Sequence, residues 1–245
     1  MSNILIIGAN SAIAREAARC WAARGASLFL VARDSGRLNI LEEDVKARGA
    51  EKVKTHLLDI NDVEKQPGVL DQAVAFLGTI DVILMAHGTL PDQKACEAKP
   101  GLAARELETN FTSSILFLLY TANLLERQKM GTLAVITSVA GDRGRQSNYI
   151  YGAAKGGMNT FLQGLRNRLY FCGVNVLTIK PGFVNTPMTA SARKNVLFVS
   201  PQGVARDIIG AIDCRKSVVY TPWFWTVIMA CIKALPEVIF KRLKL

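Results

Sequence analysis

Seven short runs rich in Val, Ile and Leu punctuate the chain, and between them apolar positions recur at helical spacing. The runs are ILIIG (4–8), SLFLVA (27–32), VKTHLL (53–58), IDVILMA (80–86), TLAVITS (132–138), VNVLTIK (174–180) and SVVY (217–220). Strands wetted on one face alternate apolar and polar residues. Near-continuous apolar runs of this length instead suit strands covered on both faces by helices, as in a parallel sheet. Regular alternation of strand and helix therefore predicts the α/β class, a doubly wound parallel sheet whose ligands lie beyond the carboxyl ends of the strands.

A chain of 245 residues, half of them hydrophobic, can bury one large core, and α/β folds of this size are often one domain. No Pro- or Ser-rich linker, repeat or low-complexity run divides it. The expected organisation is a single α/β domain over 1–221 followed by a C-terminal apolar helical extension over 222–245. The five cysteines (Cys20, Cys96, Cys172, Cys214, Cys231) are scattered and include no CxxC, which argues against a disulfide framework and a zinc site and for a reducing, cytoplasmic setting. His56 and His87 lack a third ligand at a recognisable spacing, so no metal is expected and each histidine is read as packed or hydrogen-bonded. The opening MSNILIIGAN lacks a basic n-region and reads as a strand rather than a signal peptide.

The formal charge is +10, and residues 190–245 carry nine Lys or Arg against three Asp or Glu. No aromatic-interleaved basic patch or nucleic-acid motif accompanies this excess, so nucleic acid is not expected as a partner. Within the tail, the apolar stretch from Trp223 to Ile232 is far short of the roughly 20 residues that span a bilayer. Trp223, Phe224 and Trp225 begin an apolar helix, Pro236 breaks it, and Val238, Ile239, Phe240 and Leu243 continue beside Lys241, Arg242 and Lys244. Two readings fit this composition equally: an interfacial anchor on the cytoplasmic membrane face, or a helix pair packed on the domain or a sister subunit.

The strand ends carry the candidate chemistry. The first run ends in GANSAIA (8–14), a small-residue turn in which Gly8, Asn10, Ser11 and Ile13 can present backbone N–H groups and a helix N-terminus to a pyrophosphate. The fourth ends at Ala86, His87 and Gly88, Asn110 sits in a mid-chain helix, and the fifth ends at Ser138. In NYIYGAAKGG (148–157), Tyr151 and Lys155 stand one helical turn apart on one face, whereas Tyr149 points elsewhere. An ammonium about 4 Å from a phenol, at an effective dielectric near 20, favours the phenolate by about 4 kcal/mol, or roughly three pKa units before desolvation is subtracted. The sixth run is followed by Pro181, Gly182 and Thr186.

In this order and spacing, over about 1–215, the sequence resembles the short-chain dehydrogenase/reductase family. The resemblance implies a Rossmann domain and NAD(P)(H)-dependent interconversion of a ketone and a secondary alcohol. It assigns Asn110, Ser138, Tyr151 and Lys155 as the catalytic set: Ser138 on the substrate oxygen, Tyr151 as acid/base, Lys155 lowering the phenol pKa and holding the nicotinamide ribose, and Asn110 holding a water. Gly8 matches the first glycine of the family's TGxxxGxG turn, with Ala12 and Ala14 where the other two glycines are usual. Asp59 and Ile60 match the adenine-flanking pair, and Ala86 and Gly88 match the NAG element, with His87 departing from the common Ala. Pro181, Gly182 and Thr186 complete the cofactor contacts.

At the end of the second run, Ala32 fills the position usually acidic in NAD enzymes and Arg33 follows it, with Arg37 a second cation. That pattern favours NADP(H), with NAD(H) as the alternative. The tail, the HG element at His87 and Gly88 and the arrangement of the PGFVNTPM loop further resemble one branch of the family, the reductases of decaprenylphosphoryl-2-keto-ribose, which implies a lipid-linked keto-sugar in cell-envelope polysaccharide synthesis. A soluble ketone or 3-oxoacyl thioester and a non-catalytic cofactor-binding scaffold stand as alternatives. The segment after Pro181, through Met188, Ala190 and Arg193 toward Phe198, is expected to form an apolar lid with some cationic character. Helices at about 103–128 and 149–171 commonly form subunit faces in this family, so a homo-oligomer is expected.

Overall fold

In the computed structural model, which describes residues 2–190 and 194–243, the apolar runs form seven parallel strands among the described residues. Arg193 of the lid and Lys244 of the tail lie outside the described residues. The strands are β1 (Asn3–Ile7), β2 (Ser27–Ala32), β3 (Val53–Leu57), β4 (Val82–Met85), β5 (Thr132–Ile136), β6 (Asn175–Pro181) and β7 (Val218–Thr221), in the order β3-β2-β1-β4-β5-β6-β7. The helices are α1 (Ala12–Ala22), α2 (Ser35–Ala47), α3 (Gln66–Leu77), α4 (Gln93–Ala98), α5 (Pro100–Leu107), α6 (Ser113–Gln128), α7 (Tyr149–Leu169), α8 (Pro201–Asp213), α9 (Phe224–Ala234) and α10 (Glu237–Phe240).

Two cores follow from the pleat, because successive strand residues point to opposite faces. Ile4, Ile6, Leu28 and Leu30 pack under α1, α2 and α8, while Leu5, Ile7, Phe29 and Val31 pack under α3, α6 and α7. The small face of α1, with Ala14, Ala17 and Ala18 fully buried, lets that helix lie close on the sheet. Strand order reverses between β1 and β4, which opens the crevice where such sheets take ligands.

The structure departs from the sequence reading at both edges of the sheet and in one helix. The runs at 53–58 and 217–220 read as covered on both faces, yet β3 and β7 are the edge strands, with Lys54, Leu57 and Val218 exposed. A run's apolar content does not report its rank in the sheet. The single helix anticipated over 103–128 is α5 and α6 joined by a π-turn at Glu108–Thr112. The extra residue in that turn directs the Asn110 side chain inward, as π-bulges often do at functional sites.

Candidate active site

A cavity of about 640 Å³ lies across the carboxyl ends of the strands. It is lined by Gly8, Asn10, Ser11 and Ile13 after β1, Arg33 after β2, Asp59 and Ile60 after β3, and Ala86 and Gly88 after β4. Ser138 after β5, Tyr151 and Lys155 of α7, and Pro181, Gly182 and Thr186 from the end of β6 complete the wall. Of the candidate residues only Asn110 is set back, 1 % exposed, behind Gly88.

The β1–α1 turn has the form a dinucleotide requires. Gly8 has φ +81°, and a Cβ there would lie 2.5 Å from the His87 backbone nitrogen, so neither its conformation nor its space admits a side chain. Ser11 caps α1, its Oγ accepting from the Ala14 N–H at 3.1 Å, which leaves the helix N-terminus facing the cleft. The Oδ1 of Asn10 is buried without a partner among the described residues, an acceptor available to a ligand hydroxyl. At the end of β2, Asp34 rather than Arg33 caps α2 and pairs with Arg37 at 3.4 Å. Arg33 is exposed at the cleft rim and makes no ion pair among the described residues.

Backbone packing sets Ser138 against α7. Residues Val139–Gly141 form a 3-10 turn, and a Cβ on Gly141 would fall 2.5 Å from the Lys155 carbonyl carbon. On the facing side a Cβ on Gly152 would meet the Ala140 carbonyl oxygen at 3.0 Å. The glycines around Tyr151 thus let two backbones touch, a role the sequence reading missed because the contact joins segments remote along the chain. Asn110 ties the π-turn to the loop after β4: its Oδ1 accepts from the Thr89 N–H at 3.1 Å, and its Nδ2 donates to the Thr89 Oγ1 at 2.8 Å and the Glu106 carbonyl at 3.1 Å.

Electrostatics at Tyr151 run opposite to the expectation from helical spacing. Burial pushes the Tyr151 phenol up to about 12, with the Ser138 hydroxyl pulling it down. The Lys155 ammonium stands 5.6 Å from the Tyr151 ring centroid, 5 % exposed, and burial pushes its pKa down to about 8. Helical spacing supplies an attraction between the two groups, but in this cleft the desolvation of both outweighs it. His87 is neutral, its pKa brought to about 3 by burial and then by Lys155, and its Nε2 pairs with the Ser114 Oγ at 2.7 Å. His56 stacks on Phe29. No group of three His, Cys, Asp or Glu side chains that could hold a metal occurs among the described residues.

Residues outside the recognised motifs also shape the site. Arg145 and Asn148, from the loop between Ser138 and Tyr151, line the cleft. The tail contributes as well: Trp225 and Met229 of α9 pack with Val139 and Phe183, and the Trp225 indole lies flat against Gly182. Arg143 fastens this tail, its Nη1 donating to the Ile232 and Leu235 carbonyls at 2.6 Å each, its Nη2 meeting Glu237 at 3.0 Å, and its guanidinium lying 3.8 Å from the Phe240 ring. The outer face of the tail leaves Trp223, Val227, Val238, Ile239 and Leu243 exposed. No helix among the described residues is long and apolar enough to cross a membrane.

The profile of a family described as short chain dehydrogenase matches residues 2–197. An uncharacterized oxidoreductase of Mycobacterium tuberculosis strain H37Rv is 33 % identical over 240 residues, covering 98 % of this chain and 96 % of its own. One of Streptomyces coelicolor is 35 % identical over 242 residues, covering 98 % and 95 %. Among solved structures, levodione reductase superposes with a TM-score of 0.83 at 21 % identity, over 91 % of this chain and 97 % of its own, a likeness of fold.

Proposed function

Because the chain belongs to the short-chain dehydrogenase family, and is thus an NAD(P)(H)-dependent oxidoreductase, we propose that it is an NADP(H)-preferring carbonyl reductase in which Tyr151 protonates the substrate oxygen. The observation that carries this reading is the meeting of Ser138, Tyr151 and Lys155 in one cleft with the small-residue turn after β1. The bound nicotinamide would deliver a hydride to the carbonyl carbon and take it back in the reverse direction. Ser138 donates a hydrogen bond to the carbonyl oxygen. Tyr151, held neutral by burial, is the proton donor, and its O–H proton passes to that oxygen as the alkoxide forms. Lys155 stabilises the resulting phenolate and, with a pKa near 8, returns a proton to it. Gly88 leaves room for the Lys155 ammonium beside the Asn110 amide, since a Cβ there would stand 3.2 Å from Nζ and 2.9 Å from Oδ1.

Positioned acid catalysis contributes about 10²–10⁴-fold, so Tyr151→Phe, which keeps the ring and removes the proton, is expected to lower ketone-dependent NADPH oxidation by about 100-fold or more. An unchanged rate across a carbonyl panel that includes polyprenyl-phosphate keto-sugars would reject the assignment.

For the substrate we propose a lipid-linked keto-sugar whose polyprenyl chain stays in the bilayer. The support is the tail's two faces: Trp225 and Met229 turned into the domain, and Trp223, Val227, Val238 and Ile239 turned to solvent beside Lys233, Lys241 and Arg242. Deleting 222–245 would also remove the Trp225 contact to Gly182, so substitution of the outer face is the cleaner test. A triple variant, Val227→Glu, Val238→Glu and Ile239→Glu, is expected to stop co-sedimenting with phosphatidylglycerol vesicles while still reducing a water-soluble ketone. Equal sedimentation of the two proteins removes the membrane role. The inward packing of α9 supports a second reading, in which the tail only walls the site and the ketone is soluble.

A further inference from the structure

We propose that Arg145 determines specificity for an anionic group, a phosphate or a carboxylate, on the carbonyl substrate, an inference that rests on the reductase reading above. Arg145 lies between Ser138 and Tyr151 in sequence and lines the same cleft. Its Nε is buried with no partner among the described residues, and its Nη2 donates to the Met229 sulfur, at 3.6 Å, a weak acceptor.

The carboxylate closest in sequence is already committed. Asp142 accepts from the Lys180 Nζ at 2.5 Å, the Tyr220 hydroxyl at 2.6 Å and the Asn159 Nδ2 at 3.4 Å. Arg143, two residues before Arg145, has the carbonyls of the tail and Glu237. Arg145 therefore stands as a half-buried cation without a counter-ion among the described residues, in a wall that includes Val139, Phe183 and Met188. Burial works against its charge, with Asp142 a smaller opposing influence. Such a group is costly until an anion arrives.

The cofactor's phosphates are an unsuitable anion. The pyrophosphate turn follows β1 and Arg33 follows β2, whereas Arg145 follows β5, two and three strand positions away in the sheet order, which sets the strands about 10 and 14 Å apart at ordinary spacing. The Oδ1 of Asn148, in the same wall, is also buried without a partner among the described residues. It can accept from a hydroxyl, so the polar lining suits a hydroxylated, anionic ketone.

Two measurements on the full chain decide the matter. The first compares kcat/KM for a ketose phosphate, a keto acid and a neutral ketose in the wild type, Arg145→Ala and Arg145→Lys. Hydrogen bonds to charged groups predict that the preference of an anionic over the neutral ketone falls about 10- to 100-fold in Arg145→Ala, with part recovered in Arg145→Lys. Preference for the phosphate or for the acid tells the two anions apart. The second titrates methyl phosphate and acetate calorimetrically into the NADP⁺-saturated protein, where Arg145→Ala should abolish binding. An undiminished anion affinity in Arg145→Ala, or equal loss on anionic and neutral ketones, overturns the proposal. If no ketone is reduced, the reductase reading fails and the calorimetry still decides the anion site.

Discussion

Gly182→Ala tests whether the C-terminal helix is a working part of the cleft. A Cβ on Gly182 would stand 1.8 Å from the Nε1, 2.0 Å from the Cε2 and 2.5 Å from the Cδ1 of Trp225. These are atoms of a rigid bicycle, not the end of a flexible chain. The indole is 2 % exposed and meets Phe183 edge-on at 5.2 Å between centroids, so it has no free space to enter. The methyl group must therefore expel Trp225, and the cost approaches that of losing the buried indole, about 3–5 kcal/mol. Trp225→Ala alone should cost about the same. The double variant should cost little more than Trp225→Ala, because the truncated side chain no longer occupies the methyl's place. The coupling energy is then about 3 kcal/mol, well above the few tenths typical of independent sites. Urea unfolding of the four proteins measures it, and NADP⁺ affinity reports the displaced loop, since Gly182 lines the cleft. A Gly182→Ala protein within about 1 kcal/mol of wild type, or additive costs in the double variant, refutes the reasoning.

Three further outcomes follow from the electrostatics of the site. With Lys155 at about 8 and Tyr151 at about 12, the basic limb of kcat/KM for the cofactor should be a single-proton fall near pH 8; a rate sustained beyond pH 10 contradicts it. The sign for stability is the reverse, because the folded pKa of Lys155 lies below its ordinary 10.5: the cost of burying its charge is present below about 8 and is relieved as pH rises toward 10.5. Arg33→Ala should raise the KM for NADPH about tenfold, as the loss of one charge-assisted phosphate contact implies, and leave that for NADH nearly unchanged. Equal effects on both cofactors would show that Arg33 does not read the 2′-phosphate.

Much of this molecule was legible in one dimension. The apolar runs foretold all seven strands, and small-residue turns and polar groups at their ends pointed to the cleft that Gly8, Ser138, Tyr151 and Lys155 line. Both are local signals, carried by a period of two or 3.6 residues or by an i,i+4 pair, and they survive without knowledge of the partner. Packing decided the rest: the edge rank of β3, the π-turn that turns Asn110 inward, the contact of Gly141 with α7 and the seat of Trp225 on Gly182. It also reversed the electrostatics of Tyr151 and left Arg145 without a counter-ion among the described residues. Spacing along a chain specifies which groups can meet, whereas desolvation and close approach depend on segments brought together only when the chain folds.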